Sequence, residues 1–127
     1  MKSVLKSHHP RRHLSSFKYA FSGVLHTLLN EANFRIQILI TTVTVLLGIY
    51  LGLTNTQWAI LTLTMGLLLS AEMINTLIEN FIDVLIKEYH EGAKIIKDVS
   101  AGFVLITAIT ALIVLLLIFS EPLLRLI

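Results

Sequence analysis

Three long apolar stretches, separated by short polar segments, dominate the chain. Residues 36–53 form the first stretch. The second begins at Trp58 and is apolar through residue 71, and residues 99–119 form the third. A helix rises about 1.5 Å per residue, so about twenty apolar residues cross the roughly 30 Å hydrocarbon core of a bilayer. Because open strands would leave backbone groups unpaired in lipid, the pattern predicts three membrane-spanning helices.

A shorter amphipathic segment precedes the first apolar stretch. Phe17, Phe21, Val24 and Leu28 recur at helical spacing, with polar residues elsewhere on the wheel. This pattern predicts a surface helix that lies in the membrane interface. A short helix packed on the bundle is an alternative, and the two are compatible.

The expected fold class is therefore an all-α integral membrane protein with three spans and one N-terminal amphipathic surface helix. We expect a basic cytoplasmic tail over residues 1–15 and a single membrane domain over residues 16–127. Within that domain we expect a surface helix at 16–33, spans at 34–53, 57–86 and 99–121, and a cytoplasmic loop at 87–98.

Composition and charge placement support this organisation. The chain is 55% hydrophobic with a mean hydropathy of +0.81, which is too apolar for a soluble domain of 127 residues. It contains no cysteine, which excludes disulfides, thiolate metal sites and cysteine nucleophiles. Lys and Arg concentrate before the first span and between the second and third, which predicts that both segments are cytoplasmic. They are Lys2, Lys6, Arg11, Arg12, Lys18, Arg35, Lys87, Lys94 and Lys97.

The second span carries an unexpected polar face. Glu72, Asn75, Thr76, Glu79 and Asp83 follow spacings of three and four, which places them on one side of a helix. A carboxylate at the membrane centre costs roughly 2.5–3.5 kcal/mol, and like charges repel one another. Hard oxygen ligands without His or Cys favour Mg²⁺ as the compensating partner.

The alternative is that this span ends near Glu72 and continues as a solvated helix. Glu72 lies about 21 Å along the axis from Trp58, short of the roughly 30 Å hydrocarbon core. We therefore expect Glu72 inside the membrane, with Glu79 and Asp83 at the interface. Ionisable residues within a membrane are functional by default.

Two further polar groups are predicted at or just beyond the membrane interface, near Glu79 and Asp83. Glu31 ends the surface helix just before the first span, at the depth expected of Glu79. Lys94, Lys97 and Asp98 follow in the predicted cytoplasmic loop. A basic loop beside a carboxylate face that could hold a metal suits a polyphosphate ligand. The glycines form no Gly-rich phosphate loop, so a P-loop is not supported.

Four motifs resemble those of the small prokaryotic membrane lipid kinases, comprising diacylglycerol kinase and undecaprenol kinase. They are A-E-x-x-N-T-x-I-E-x-x-x-D at residues 71–83, E-Y-H at 88–90, K-D at 97–98 and N-E-A-x-F-R at 30–35. The resemblance implies a homotrimer in the bacterial cell membrane that transfers the ATP γ-phosphoryl group to a lipid hydroxyl. Membrane lipids are the expected surroundings, and no nucleic-acid partner is expected.

The resemblance also implies roles for individual residues. Glu72 is similar to the general base of the family, and Glu31 and Glu79 to its Mg²⁺ ligands. Asn75 and Asp83 are similar to supporting residues. The residues similar to nucleotide contacts are Arg12, Tyr19, Glu31, Glu79, Glu88, His90, Lys97 and Asp98.

The leading hypothesis is an ATP- and Mg²⁺-dependent undecaprenol kinase, based on overall similarity to the Gram-positive-type members. Diacylglycerol kinase is the runner-up. A non-enzymatic proton-relay or assembly protein is the alternative from another class. It would explain carboxylates in a membrane but not the adjacent charged cluster at residues 88–98.

Overall fold

The computed structural model describes residues 10–124, and it describes side chains from Ser15 onward except at Leu123. Across this part of the chain it contains four helices: α1 (Pro10–Asn30), α2 (Ala32–Leu51), α3 (Asn55–Leu85) and α4 (Glu91–Leu124). Three of them are long and apolar enough to cross a membrane: Ala32–Leu51, Asn55–Leu85 and Glu91–Pro122. This confirms the all-helical class and the three candidate spans. Most of the predicted basic tail, residues 1–9, lies outside the described residues.

The observed helix ends lie within about three residues of the predicted ones except at the starts of α1 and α4, where they differ by six and eight residues. α1 begins at Pro10, within the predicted tail, and α4 begins at Glu91, within the predicted loop. The connection between α3 and α4 is therefore only residues 86–90. Hydropathy marks where a helix enters lipid, whereas the hydrogen-bonded backbone continues through the polar residues beyond it. The acidic side chain of Glu91 also favours the N-terminal end of a helix dipole.

A single extended residue separates α1 from α2. Glu31 has φ −102° and ψ 116°, which interrupts the helical path. Arg35 donates from Nη1 to the carbonyl oxygens of Leu28 and Leu29, at 3.3 and 2.9 Å. These bonds satisfy carbonyl groups at the end of α1 that lack helical partners. The local sequence thus fixes Glu31 at the joint between the two helices.

A tight turn joins α2 to α3 at the opposite end of the bundle. Gly52 adopts φ +66°, a left-handed conformation that glycine accepts without strain. Thr54 and Gln57 then form a reciprocal capping box, with Gln57 N donating to Thr54 Oγ1 at 3.3 Å and Thr54 N donating to Gln57 Oε1 at 2.9 Å. The turn and cap together start α3 directly beside the end of α2.

The apolar core lies mainly between α3 and α4 and includes Leu61, Met65, Leu68, Ala111 and Ile118. Large apolar side chains also cover the outside of the bundle. Leu39, Leu116 and Leu117 are 63%, 64% and 70% exposed. Such a surface suits lipid, in which outward-facing apolar residues carry no penalty. Beyond the core, towards the α3–α4 connection, several buried side chains are polar, among them Glu72, Asn75 and Ser100.

Candidate functional site

Glu72 is the most deeply buried carboxylate among the described residues. Its side chain is 1% exposed and lies on α3 between the apolar core and the polar end of the bundle. Gln37 of α2 donates from Nε2 to Glu72 Oε2 at 3.1 Å. Asn33, one turn earlier on α2, lines the same cavity as this carboxylate. An amide donor from a neighbouring helix therefore orients this carboxylate.

Two more carboxylates lie within electrostatic range of Glu72: Glu31 and Glu79. Glu31 is half-buried at the start of α2, yet its side chain makes no capping hydrogen bond there. Glu79 is half-buried two turns along α3 and accepts a hydrogen bond from Asn75 Nδ2 at 3.1 Å. The structure thus brings together the three glutamates that the sequence singled out.

Asn75 connects this cluster to α4. Its Oδ1 accepts a 2.6 Å hydrogen bond from Ser100 Oγ, while its amide group binds Glu79. Both Asn75 and Ser100 are buried, at 9% and 6% exposure. A buried polar pair that is fully bonded fixes the rotation of the two helices against each other. The hydrogen bond from Asn75 therefore orients the Glu79 carboxylate.

Asp83 and Lys97 extend the polar face to the surface. Lys97 Nζ lies 2.6 Å from Asp83 Oδ1, and the ammonium group is also within electrostatic range of Glu79. The Asp83 side chain is 64% exposed, whereas Glu72 is 1% exposed. The face thus runs continuously from the interior of the bundle to solvent, as the spacing of its residues predicts.

The other predicted nucleotide contacts are at the surface. Tyr19 is 73% exposed on α1, and Glu88, His90 and Asp98 are exposed in or beside the α3–α4 connection. Within the part of the chain that the structure describes, these four make no hydrogen bond or ion pair with the carboxylate cluster. The side chain of Arg12 lies outside the described part. Their roles stay predictions.

The donor chemistry fits a magnesium ion that arrives with phosphate ligands. Among residues 10–124, no group of three or more His, Asp or Glu side chains is placed to hold a metal by itself. Mg²⁺ bound with nucleotides usually takes one or two carboxylates and completes its shell with phosphate oxygens and water. Glu31 and Glu79 are half-buried carboxylates of the kind that such an ion takes.

Two residues of this site were not predicted: Gln37 and Ser100. Both are single polar residues at the ends of apolar runs, where they resemble ordinary interface residues. Gln37 lies one turn after Asn33, so the two amides share a helix face. That spacing was the available signal, but it does not show that the face meets Glu72.

The fold and site define a helical membrane protein with a buried carboxylate face that opens to solvent at one end. The model of the family described as prokaryotic diacylglycerol kinase matches residues 18–119. A diacylglycerol kinase of Synechocystis sp. is 39% identical over 102 residues, which cover 80% of this chain and 58% of that protein. The undecaprenol kinase of Bacillus subtilis is 33% identical over 112 residues, which cover 88% of this chain and 91% of that protein.

The chain belongs to the prokaryotic diacylglycerol kinase family. The match spans little more than half of the Synechocystis relative and nearly all of the Bacillus one. The two relatives carry different lipid names, so they do not resolve the acceptor.

Proposed function

We propose that this protein is a lipid kinase that transfers the γ-phosphoryl group of ATP to the hydroxyl of undecaprenol at the cytoplasmic surface of the bacterial membrane. Lys and Arg flank the polar end of the bundle, and the turn at residues 52–57 has none. This asymmetry supports a cytoplasmic site and N-terminus.

The observation that carries the proposal is the burial of Glu72 beside two further glutamates. A carboxylate shielded from water, with its orientation fixed by the Gln37 amide, suits the acceptance of a proton from an alcohol that arrives through lipid. In this role Glu72 deprotonates the acceptor hydroxyl, and the resulting oxygen attacks the γ-phosphorus as the bond to ADP breaks.

Glu31 and Glu79 are the proposed metal ligands. Both are half-buried and closer to solvent than Glu72, which suits a nucleotide that approaches from water. When bound there, Mg²⁺ supplies charge neutralisation for the triphosphate oxygens. Asn75 supports Glu79 through its 3.1 Å hydrogen bond.

Lys97 is the proposed source of positive charge for the triphosphate. Its Nζ atom lies 2.6 Å from Asp83 Oδ1, which positions the side chain. Asp98, Glu88, His90, Tyr19 and Arg12 are the further proposed nucleotide contacts. Because the described ones are exposed and separate from the cluster in one chain, we propose that a homotrimer completes the site between neighbouring copies. The outer faces of α2 and α4 carry exposed apolar side chains, which are available for contacts between copies.

A lipid-panel assay tests the function. Purified protein receives ATP labelled at the γ-phosphate, with Mg²⁺ and either undecaprenol or a diacylglycerol, and the lipid products are separated. We expect label mainly in undecaprenyl phosphate, consistent with the Bacillus relative that the chain covers almost completely. A strong preference for diacylglycerol would favour the activity named for the more identical Synechocystis relative.

A binding measurement separates the kinase from a membrane protein without catalysis. We expect ATP to bind in the presence of Mg²⁺ and to bind much more weakly when EDTA removes it. A protein with no Mg²⁺-dependent affinity for ATP would be a proton-relay or assembly component instead.

A further inference from the structure

The hydroxyl of Ser100 lies between two acceptors and can donate to one of them at a time. Its Oγ is 2.6 Å from Asn75 Oδ1 on α3 and 2.8 Å from the carbonyl oxygen of Lys97 on its own helix. A serine hydroxyl carries one hydrogen and can also accept a hydrogen bond. Ser100 is 6% exposed and Asn75 is 9% exposed, so bulk water competes little for these bonds. The acceptor that Ser100 chooses therefore decides which hydrogen bonds are open to Asn75.

The side-chain amide of Asn75 has an accepting end and a donating end, and only one orientation suits an ionised Glu79. In the observed orientation Oδ1 accepts from Ser100, and Nδ2 donates to Glu79 Oε1 at 3.1 Å. Turning the amide by half a rotation would place Oδ1 against the Glu79 carboxylate, and two acceptors repel each other there. Ser100 would then accept from Nδ2 and donate to the Lys97 carbonyl oxygen instead. The hydroxyl of Ser100 thus selects the orientation of the amide.

The polar side chains next to this pair form different kinds of contact. Thr76 and Asn80 each donate to a backbone carbonyl oxygen of α3 itself, so neither reaches α4 through these bonds. Asp83 and Lys97 do join α3 to α4, but their side chains are 64% and 33% exposed, where water screens the ion pair. Ser100 therefore supplies a buried link between α4 and the carboxylate cluster, which holds one geometry better than an exposed pair does.

We propose that Ser100 is a positioning residue for the metal–nucleotide site: its hydroxyl holds the Asn75 amide with Nδ2 towards Glu79, and so orients the Glu79 carboxylate for the Mg²⁺ that ATP carries. This inference deepens the proposed function and rests on it, because Glu79 is a metal ligand only within that proposal. Loss of the hydroxyl removes this donor from the buried Asn75 Oδ1 and frees the amide to turn. The Glu79 carboxylate then loses its fixed orientation.

Ser100→Ala tests this inference in a binding assay that needs no catalysis. The full-length protein in lipid vesicles receives a fluorescent ATP analogue, and binding is followed as Mg²⁺ is added. We expect the Mg²⁺ concentration for half-maximal binding to rise about two- to tenfold, the range for loss of one hydrogen bond. In turnover assays the KM for ATP should rise while the KM for the lipid stays unchanged. A parental Mg²⁺ dependence, or an equal rise in both KM values, would overturn the proposal.

Ser120→Ala is the matched control, because it makes the same change on the same helix. Ser120 Oγ donates to the Leu117 carbonyl oxygen three residues earlier, as Ser100 can to Lys97, but it lies about 30 Å further along α4. Its Mg²⁺ dependence should equal that of the parent, and a shift as large as that of Ser100→Ala would overturn the proposal. Ser100→Thr keeps the hydroxyl and should titrate like the parent. If it unfolds at the parental temperature but titrates like Ser100→Ala, the hydroxyl has no positioning role.

A double-mutant cycle tests whether the effect passes through Asn75. In Asn75→Ala, Ser100 can still donate to the Lys97 carbonyl oxygen, so its hydroxyl keeps a partner. Because Ser100 acts through Asn75, adding Ser100→Ala to Asn75→Ala should cause no further change in the Mg²⁺ dependence. Two effects that add in full would contradict the inference, and this result does not depend on how well threonine fits at position 100.

The parent protein distinguishes failure of this inference from failure of the proposed function. If the parent binds ATP with Mg²⁺ and phosphorylates lipid while Ser100→Ala titrates like the parent, only the role of Ser100 is overturned. If the parent shows no Mg²⁺-dependent binding of ATP, the kinase assignment is wrong and the role of Ser100 falls with it.

Discussion

A glutamate buried among apolar helices needs polar partners that stabilise its charge, and the amide of Gln37 is one of them. Gln37 Nε2 donates a hydrogen bond to Glu72 Oε2 from the adjoining helix. Bonds of this kind to a charged group contribute about 1.5–3 kcal/mol, because the carboxylate has little access to water. Gln37 is thus a positioning residue for the proposed base.

Gln37→Met removes this donor while keeping the length of the side chain. We expect kcat to fall about tenfold or more, with the KM for ATP unchanged, since Gln37 lies on the lipid side of the cluster. Steady-state kinetics with ATP and undecaprenol provide the measurement. Thr42→Val on the same helix is the control, because its hydroxyl donates only to the Ile38 carbonyl oxygen. An unaltered kcat in Gln37→Met would remove the positioning role.

At the scale of elements, the helix ends determine where each functional group lies. The extended conformation of Glu31 places its carboxylate at the α1–α2 joint, and the Gly52 turn returns the chain so that α3 packs on α2. These two junctions lie at opposite ends of α2. A change in the Gly52 turn should therefore affect stability more than chemistry.

Gly52→Ala tests this separation. A residue with a Cβ in the left-handed conformation costs roughly 1–2 kcal/mol, so we expect a lower midpoint of thermal unfolding in detergent. Gly52→Asn should lose less, because asparagine tolerates that conformation better. Gly23→Ala in the middle of α1, where a Cβ would meet no atom within 4 Å, should leave the midpoint unchanged or raise it. An unchanged midpoint for Gly52→Ala would show that alanine fits this left-handed position without strain, which would contradict the prediction.

The periodicity of α3 predicted the candidate site better than the apolar runs predicted the helix ends. Glu72, Glu79 and Asp83 share a face because a helix repeats every 3.6 residues, and this is readable from one segment. The contacts of Gln37 and Ser100 depend on how separate helices rotate against each other, which no local pattern contains. The start of α4 at Glu91 was missed because apolar composition reports the lipid boundary.

At the scale of the whole molecule, the account depends on one end of the bundle facing the cytoplasm. The polar face, the α3–α4 connection and the Glu31 joint lie at this end, and the Gly52 turn lies at the other. Orientation follows from the placement of Lys and Arg and stays a prediction. The absence of cysteine from the chain makes it directly testable.

Single cysteines at two exposed positions report the orientation. Tyr89→Cys lies in the α3–α4 connection, where Tyr89 is 83% exposed, and Thr56→Cys lies at an exposed position in the first turn of α3, at the opposite end of the bundle. In intact spheroplasts, a membrane-impermeant maleimide should label Thr56→Cys and label Tyr89→Cys only after lysis. The reverse pattern would place the site outside the cell, where ATP is absent.

The proposed trimer is also a property of the whole molecule. Light scattering of the purified protein, corrected for bound detergent, should give a protein mass of three chains. A monomeric mass with full kinase activity would show that one chain completes the site, and the exposed predicted contacts would then need another explanation.

The most direct test of the central claim compares Glu72→Gln with Glu79→Gln in two assays, phosphoryl transfer to undecaprenol and Mg²⁺-dependent ATP binding. Glu72→Gln should lower turnover by about 10²-fold or more and leave ATP binding intact, since it removes only the proposed base. Glu79→Gln should weaken ATP binding, and the exposed Glu91→Gln should change neither. Equal loss of ATP binding in Glu72→Gln and Glu79→Gln, or full turnover in Glu72→Gln, would contradict the account.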